Sequence, residues 1–281
     1  MLASISGRVN TFLLVLVALM GATIIGILAT RAGAGPLDPP AAPGSTAGVV
    51  EPGTPITSIP FTINTAGFYY LTGNLSMAAP GDGITINTYN TTLDLKGFTL
   101  TGAGQSGSGI ISNGHSNVIR DGHVRNWNDG VQLGSGIASN ITAVDNVTGF
   151  AMLGGTAQDC TAWSNQVGVN ADTAVIEDCD VETNFTAGLV LNSRSEVRDS
   201  KFFYNGSGGA QYDIEVHLND NVIRQNYTTL SPAHEDFIGV FPGATNTLII
   251  RNRWNCSNGI VDNGTKTFLP NALSEDTNYC F

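Results

Sequence analysis

Charge is what this 281-residue chain has least of: only 12% of its residues are Asp, Glu, Lys or Arg, about half the usual share. What charge there is has one sign, with 12 Lys plus Arg against 23 Asp plus Glu. Residues 1–34 hold two of the bases, Arg8 and Arg31, and no acid, so the remainder carries 10 − 23 = −13. That excludes a nucleic-acid partner, which needs clustered cations to displace counterions from phosphates. Aromatic residues make up 8% and cysteines number four, with no Cys/His spacing that suits zinc. Beyond residues 11–29 no run is long and apolar enough to cross a membrane.

Gly (34), Asn (26) and Thr (29) fill the place of the missing charges. These are poor helix formers and frequent turn residues, so the composition predicts an all-β chain with many turns.

Residues 11–29 are uncharged, follow Arg8 and precede the small residues Ala32-Gly33-Ala34. Residues 1–34 therefore read as a signal peptide or, because 19 apolar residues would span about 28 Å as a helix, as a retained N-terminal membrane anchor. Either places the folded part outside the cytoplasm, secreted or anchored at the cell surface. Residues 35–56 belong to a Pro- and Gly-rich spacer, with seven of the eleven prolines between 35 and 60. The folded domain is expected over 57–281.

Within it, Gly-plus-apolar steps recur at Gly83, Gly109, Gly130, Gly149, Gly168, Gly188 and Gly209, 19 to 26 residues apart. A period near 20 is a solenoid signature. Five segments align inside that period, beginning at Asn140, Asp159, Asp178, Asp199 and Asp220 and ending at Asn146, Asn165, Asn184, Asn205 and Asn226. Alternate positions are small or apolar, as in short strands, and the flanking Asp and Asn residues mark turns. The repeat is too short for a helix in each unit, so it predicts a parallel β-helix of about eight coils. Residues 59–80 would make the first coil, 237–262 a last irregular coil, and the final twenty a tail folded over it.

The run Ile59–Leu75, then Asp82–Ile86, Thr92–Phe98 and Asn117–Gly122, resembles secreted right-handed parallel β-helix proteins of the pectate-lyase-like superfamily over about residues 57–265. The resemblance implies that architecture and an association with polysaccharide. It does not imply one activity, because the superfamily spans lyases, hydrolases, epimerases, adhesins and inactive members. Neither the Asn-Thr-Asp, Asp-Asp and Gly-His-Gly set of polygalacturonase-like hydrolases nor the Tyr-Gly-x-Asp-Pro-His signature of alginate epimerases is present.

Chemistry of a lyase type on such a fold needs a cation to neutralise a uronate, a proton acceptor and an aromatic platform. Arg120 and Arg125 with His123 offer the first two, as candidate catalytic residues, and Trp127, Asp129 and Trp163 are candidate substrate-binding residues. Phe203 shares the outward parity of Trp163 and could also stack on a sugar. Carboxylate pairs for hydrolysis are Asp178 with Asp180, and Glu235 with Asp236 beside His234. Asp159, Asp178, Asp199 and Asp220 form a column of stacked acids; either calcium bridges them or they are solvated turn residues, and no other cofactor is implied. Cys160 and Cys179 lie one period apart, as a disulfide or a buried small-residue ladder, and a Cys256–Cys280 disulfide is expected to clasp the tail. Nine Asn-x-Ser/Thr triplets, including those at Asn146, Asn184, Asn205 and Asn226, follow from the Asn- and Thr-rich repeat.

Together these features predict an exported β-helix protein that binds, or in a lyase-like manner processes, polysaccharide or a cell-surface glycan. The alternative is a non-catalytic structural or adhesive stalk.

Overall fold

The computed structural model describes residues 52–207, 212–229, 236–254, 259–265, 267 and 278–280. The N-terminal apolar segment, the spacer as far as residue 51, Cys256 and Glu235, with the side chains of Asp236 and Cys280, lie outside what is described. The proposed clasp and the Glu235–Asp236 pair fall there.

Every strand pairing is parallel, and the strands form two sheets. One has ten strands, from Phe61–Ile63 to Gly259–Asp262. The other has eighteen and folds into two halves along a bend. Each coil contributes one strand to the first sheet and a pair to the second, so the chain is the parallel β-helix the repeat predicts. Ten rungs in the first sheet bound nine turns, against the eight or so coils that the repeat predicts. In the ten-stranded sheet, register partners lie from 19 residues apart (Val131 to Phe150) to 26 (Ile84 to Ile110).

The glycine step has a steric cause. A Cβ on Gly109, Gly130, Gly149 or Gly168 would come within 2.5 to 2.7 Å of the carbonyl oxygen of the next glycine in the column. Gly188 faces Asp213 instead. Gly209 lies outside the described residues, and Asp213, a carboxylate, takes the seventh place.

The bend in the larger sheet explains the acid column. Asp121, Asn140, Asp159, Asp178 and Asp199 all have φ between 51° and 60°, followed in register by Gln225 and Arg251. Asp and Asn tolerate this left-handed conformation, which β-branched residues do not. Asp220 belongs elsewhere: it follows Arg194 and accepts a hydrogen bond from Asn246 Nδ2 at 2.9 Å. Val222–Arg224 pairs with Glu196–Arg198, and it is Tyr227–Thr229 that pairs with Lys201–Phe203. The segment beginning at Asp220 thus lies one half-sheet out of the expected frame, because the register interval from Leu189 to Ile214 is 25 after intervals of 19 and 20.

Inside, apolar columns such as Leu93, Ile119, Ala138, Ala157, Ile176, Val197, Ile223 and Ile249 fill the core. At the next corner Asn146, Asn165, Asn184 and Asn205 are buried and stacked. The side-chain oxygens of Asn165, Asn184 and Asn205 each accept from the backbone N–H and side-chain amide of the Asn below, that of Asn146 accepts from Trp127 N–H, and each amide also donates to a carbonyl such as Ala143 O. A fully paired buried amide ladder is stable where a half-paired one is costly. Asn226 and Asn252 continue the same motif at the bend. Burial of Asn146, Asn184, Asn205 and Asn226 rules them out as glycosylation acceptors in the folded chain.

Cys160 and Cys179 are free, buried thiols, so the small-residue ladder is what forms. Cys160 Sγ donates to Gln158 O at 3.3 Å and Cys179 Sγ to Glu177 O at 3.2 Å. The Cys160 hydrogen bond and burial push the Cys179 thiol up, away from the reactive thiolate.

At the N-terminal end Thr54–Ile56 already pairs with Phe68–Leu71, with Ile56 fully buried, so the stack begins inside the stretch assigned to the spacer. At the other end Tyr279–Cys280 pairs in parallel with Arg253–Trp254. The described part of the tail thus continues the stack instead of folding over it.

Candidate functional site

The strand Asn117–Arg125 carries three of the predicted residues on the outer surface. Arg120 lies on one half-sheet, and the left-handed Asp121 resets the alternation so that His123 and Arg125 point outward on the other, with Gly122 and Val124 buried between them. His123, Asp121, Gly122 and Gly97, with Asn140 and Thr142 of the next coil, line an open depression of about 250 Å³. Asn140 Nδ2 donates to Asp121 Oδ1 at 2.8 Å, which fixes one wall.

Both arginines are already engaged. Arg120 Nη2 lies 2.8 Å from Asp94 Oδ2, with its Nε 3.6 Å from Asp121 Oδ2. Arg125 Nη2 lies 3.0 Å from Asp145 Oδ2 in a pair exposed on both sides. Neutralising a uronate here would require breaking one of these pairs.

Two predicted binding residues are elsewhere. Trp127 is 0% exposed. Its ring occupies a slot left by Gly83, Gly102 and Gly109, where any Cβ would come within 3 Å of the indole, and its Nε1 donates to Leu100 O. It is a core residue and not a sugar platform. Asp129 begins a strand of the ten-stranded sheet, paired with Ser108 and Thr148, and so faces away from His123.

Trp163 does join the first group. It is 47% exposed and follows Arg125 and Val144 in one outward column, which continues through Glu182 to Phe203. Tyr204, 50% exposed, adjoins Phe203, which meets Tyr227 edge-on with centroids 6.3 Å apart. The parallel column holds His123, Thr142, Thr161, Asp180, Lys201 and Tyr227. Asp180 pairs with Lys201 at 3.1 Å.

Asp159, Asp178 and Asp199 stack at the bend. Burial, then Asp199, Glu177 and Asp159, raise the Asp178 carboxyl above its ordinary value, while Arg198 opposes the shift. Among the described residues no three His, Cys, Asp or Glu side chains converge as metal ligands.

Two features have no counterpart among the predicted residues. Asp213, 8% exposed, caps the Asn ladder by accepting from Asn205 Nδ2 at 2.9 Å and from Thr228 Oγ1 at 3.1 Å. Burial outweighs those two hydrogen bonds and pushes its carboxyl up to about 6. The second is Glu215 with His217, outward on the ten-stranded sheet at 2.9 Å. The Glu-x-His alternation within Tyr212–Val216 and its continuation was a usable signal, obscured by the irregular coil length.

No protein-family model matches the chain, and no curated protein matches it in sequence. Two solved structures are similar to it, the A-modules of the Azotobacter vinelandii mannuronan C-5 epimerases AlgE4 and AlgE6. The first shares 11% identity over 82% of this chain and 90% of that one, with a TM-score of 0.45. The second shares 11% identity over 78% and 91%, again with a TM-score of 0.45. The parallel β-helix rests on the strand register above.

Proposed function

We propose that this protein is an exported β-helix that binds polysaccharide lengthwise along the column that runs from Arg125 through Trp163 to Phe203 and Tyr204. The observation that carries the reading is exposed Trp163 with half-buried Phe203 two coils on in the same outward column, and exposed Tyr204 beside it. Rungs about 4.8 Å apart advance by roughly the length of one sugar per coil, so rings two coils apart can meet alternate sugars of an extended chain.

Binding is favoured over lyase chemistry because Arg120 and Arg125 are held by Asp94, Asp121 and Asp145. Arg125 and Lys201 each face a carboxylate, and Glu182 adds another beside Trp163. An uncharged polysaccharide suits this surface better than a polyuronate. The uncharged N-terminal segment supports an extracytoplasmic setting.

Affinity electrophoresis through gels containing neutral or uronate polymers tests the reading. Retardation by a neutral polymer is expected, weakened about five- to tenfold in Trp163→Ala. Lack of retardation by any polymer would leave a structural stalk.

A further inference from the structure

We propose that Glu215 and His217 form a proton-transfer site on the outer face of the ten-stranded sheet, with His217 as the general base that drives water onto the carbonyl of an O-acyl ester. The pair is built and not incidental. His217 Nε2 lies 2.9 Å from Glu215 Oε2, and the carboxylate side chain is only 14% exposed while the imidazole is 39% exposed. The imidazole stacks on Phe241 with centroids 4.5 Å apart and planes 11° apart, and Tyr212 meets Phe241 edge-on at 5.7 Å. Tyr212 in turn lies against Gly239, where a Cβ would fall 2.5 Å from its ring. That glycine is the register neighbour of Glu215, so the tyrosine ring covers the floor beside the carboxylate.

A carboxylate that accepts from Nε2–H leaves Nδ1 with its lone pair. His217 Nδ1 has no hydrogen-bond partner in the described structure and is not among its buried unpartnered atoms. An imidazole oriented by an acid and open at the other nitrogen is the arrangement of a general base.

The surroundings select the substrate. None of the ten strands contains Lys or Arg, so nothing in them holds a uronate for elimination. Glu215 is committed to the imidazole and does not serve as the acid that glycosidic cleavage needs. Asn192 occupies the rung below His217, and its Nδ2 makes one hydrogen bond, to Asn170 Oδ1 at 2.8 Å. Its second N–H is available to a developing oxyanion.

In the reaction His217 Nδ1 takes a proton from water as the water oxygen bonds to the acyl carbon, and the carbonyl electron pair moves onto oxygen. Collapse of the adduct breaks the acyl C–O bond. The departing alkoxide recovers the proton from His217, which yields the alcohol and a carboxylic acid. Only the identity of the alcohol, a sugar hydroxyl, rests on the polysaccharide reading.

The test measures nitrophenolate release from 4-nitrophenyl acetate and acetate release from O-acetylated xylan by the full chain. Both are expected, with loss of about 10²-fold or more in His217→Ala and in His217→Gln, which retains a side chain against Phe241, and none in His115→Ala. Glu215→Gln, a positioning change, should lower kcat with KM unchanged. Equal aryl-ester rates in wild type and both His217 variants, with circular dichroism unchanged, overturn the proposal. Hydrolysis of the aryl ester alone upholds the site and counts against the polysaccharide reading.

Discussion

Asp213→Asn should stabilise this protein at neutral and alkaline pH and leave it unchanged in acid. In the wild type the carboxylate stands where six coils place glycine, and it receives hydrogen bonds only from the neutral groups of Asn205 and Thr228. Its pKa of about 6 against an ordinary 3.8 is a difference of about 2 units, or about 3 kcal/mol of linked stability. The folded state holds the proton more tightly, so this contribution is complete below about pH 3.8 and is lost as pH rises through about 6. Above that, the ionised carboxylate destabilises the fold by the full amount. An Asn side chain never ionises, its oxygen accepts from Asn205, and its amide donates to Thr228 Oγ1 while that hydroxyl donates to Phe202 O. Urea unfolding of both proteins from pH 4 to pH 8 measures the difference. The variant should gain up to about 3 kcal/mol at pH 8 and about nothing near pH 4. A gap that does not change with pH, or a variant less stable at pH 8, would refute the reasoning.

Asn165→Ala should destabilise by about 3 kcal/mol or more in urea unfolding, because it strands the Asn146 N–H, the Asn146 amide and Ala143 O in the core. Gly130→Ala should cost about 1 to 3 kcal/mol, since its Cβ would lie 2.6 Å from Gly149 O, a backbone atom that cannot step aside. Asp178→Asn should raise the melting temperature at pH 7, where burial, Asp199, Glu177 and Asp159 oppose its charge, and should have no effect below pH 3, where Asp178 itself is protonated.

The fold was legible because its strongest constraints are steric and local. A column that excludes Cβ writes Gly83 to Gly188 into the chain at regular intervals, and the left-handed bend writes Asp or Asn at each coil from Asp121 to Asp199. Legibility failed where coil length changed. Between Leu189 and Ile214 the interval grows to 25, so spacing alone assigns Asp220 to the wrong turn and gives no sign that Asp213 occupies a glycine position. The candidate site was half legible for a related reason. Alternation along each strand places His123, Arg125 and Trp163 outward, but it does not say that the chain turns a corner at Trp127, that three distant glycines open a slot for its indole, or that Asp94 and Asp145 claim the arginines. Those are contacts between coils, separated by 18 to 44 positions in sequence, and only the register brings them together.

The central claim is that sugars seat on the file of rings that begins at Trp163, and tryptophan fluorescence reads it directly. Of the three tryptophans, Trp127 is enclosed and Trp254 half-buried, which leaves Trp163 as the solvent-facing reporter. Titration with neutral oligosaccharides should give a saturable emission change that survives in Trp254→Phe and disappears in Trp163→Phe. An undiminished change in Trp163→Phe, or no change in wild type with any glycan, would contradict the account.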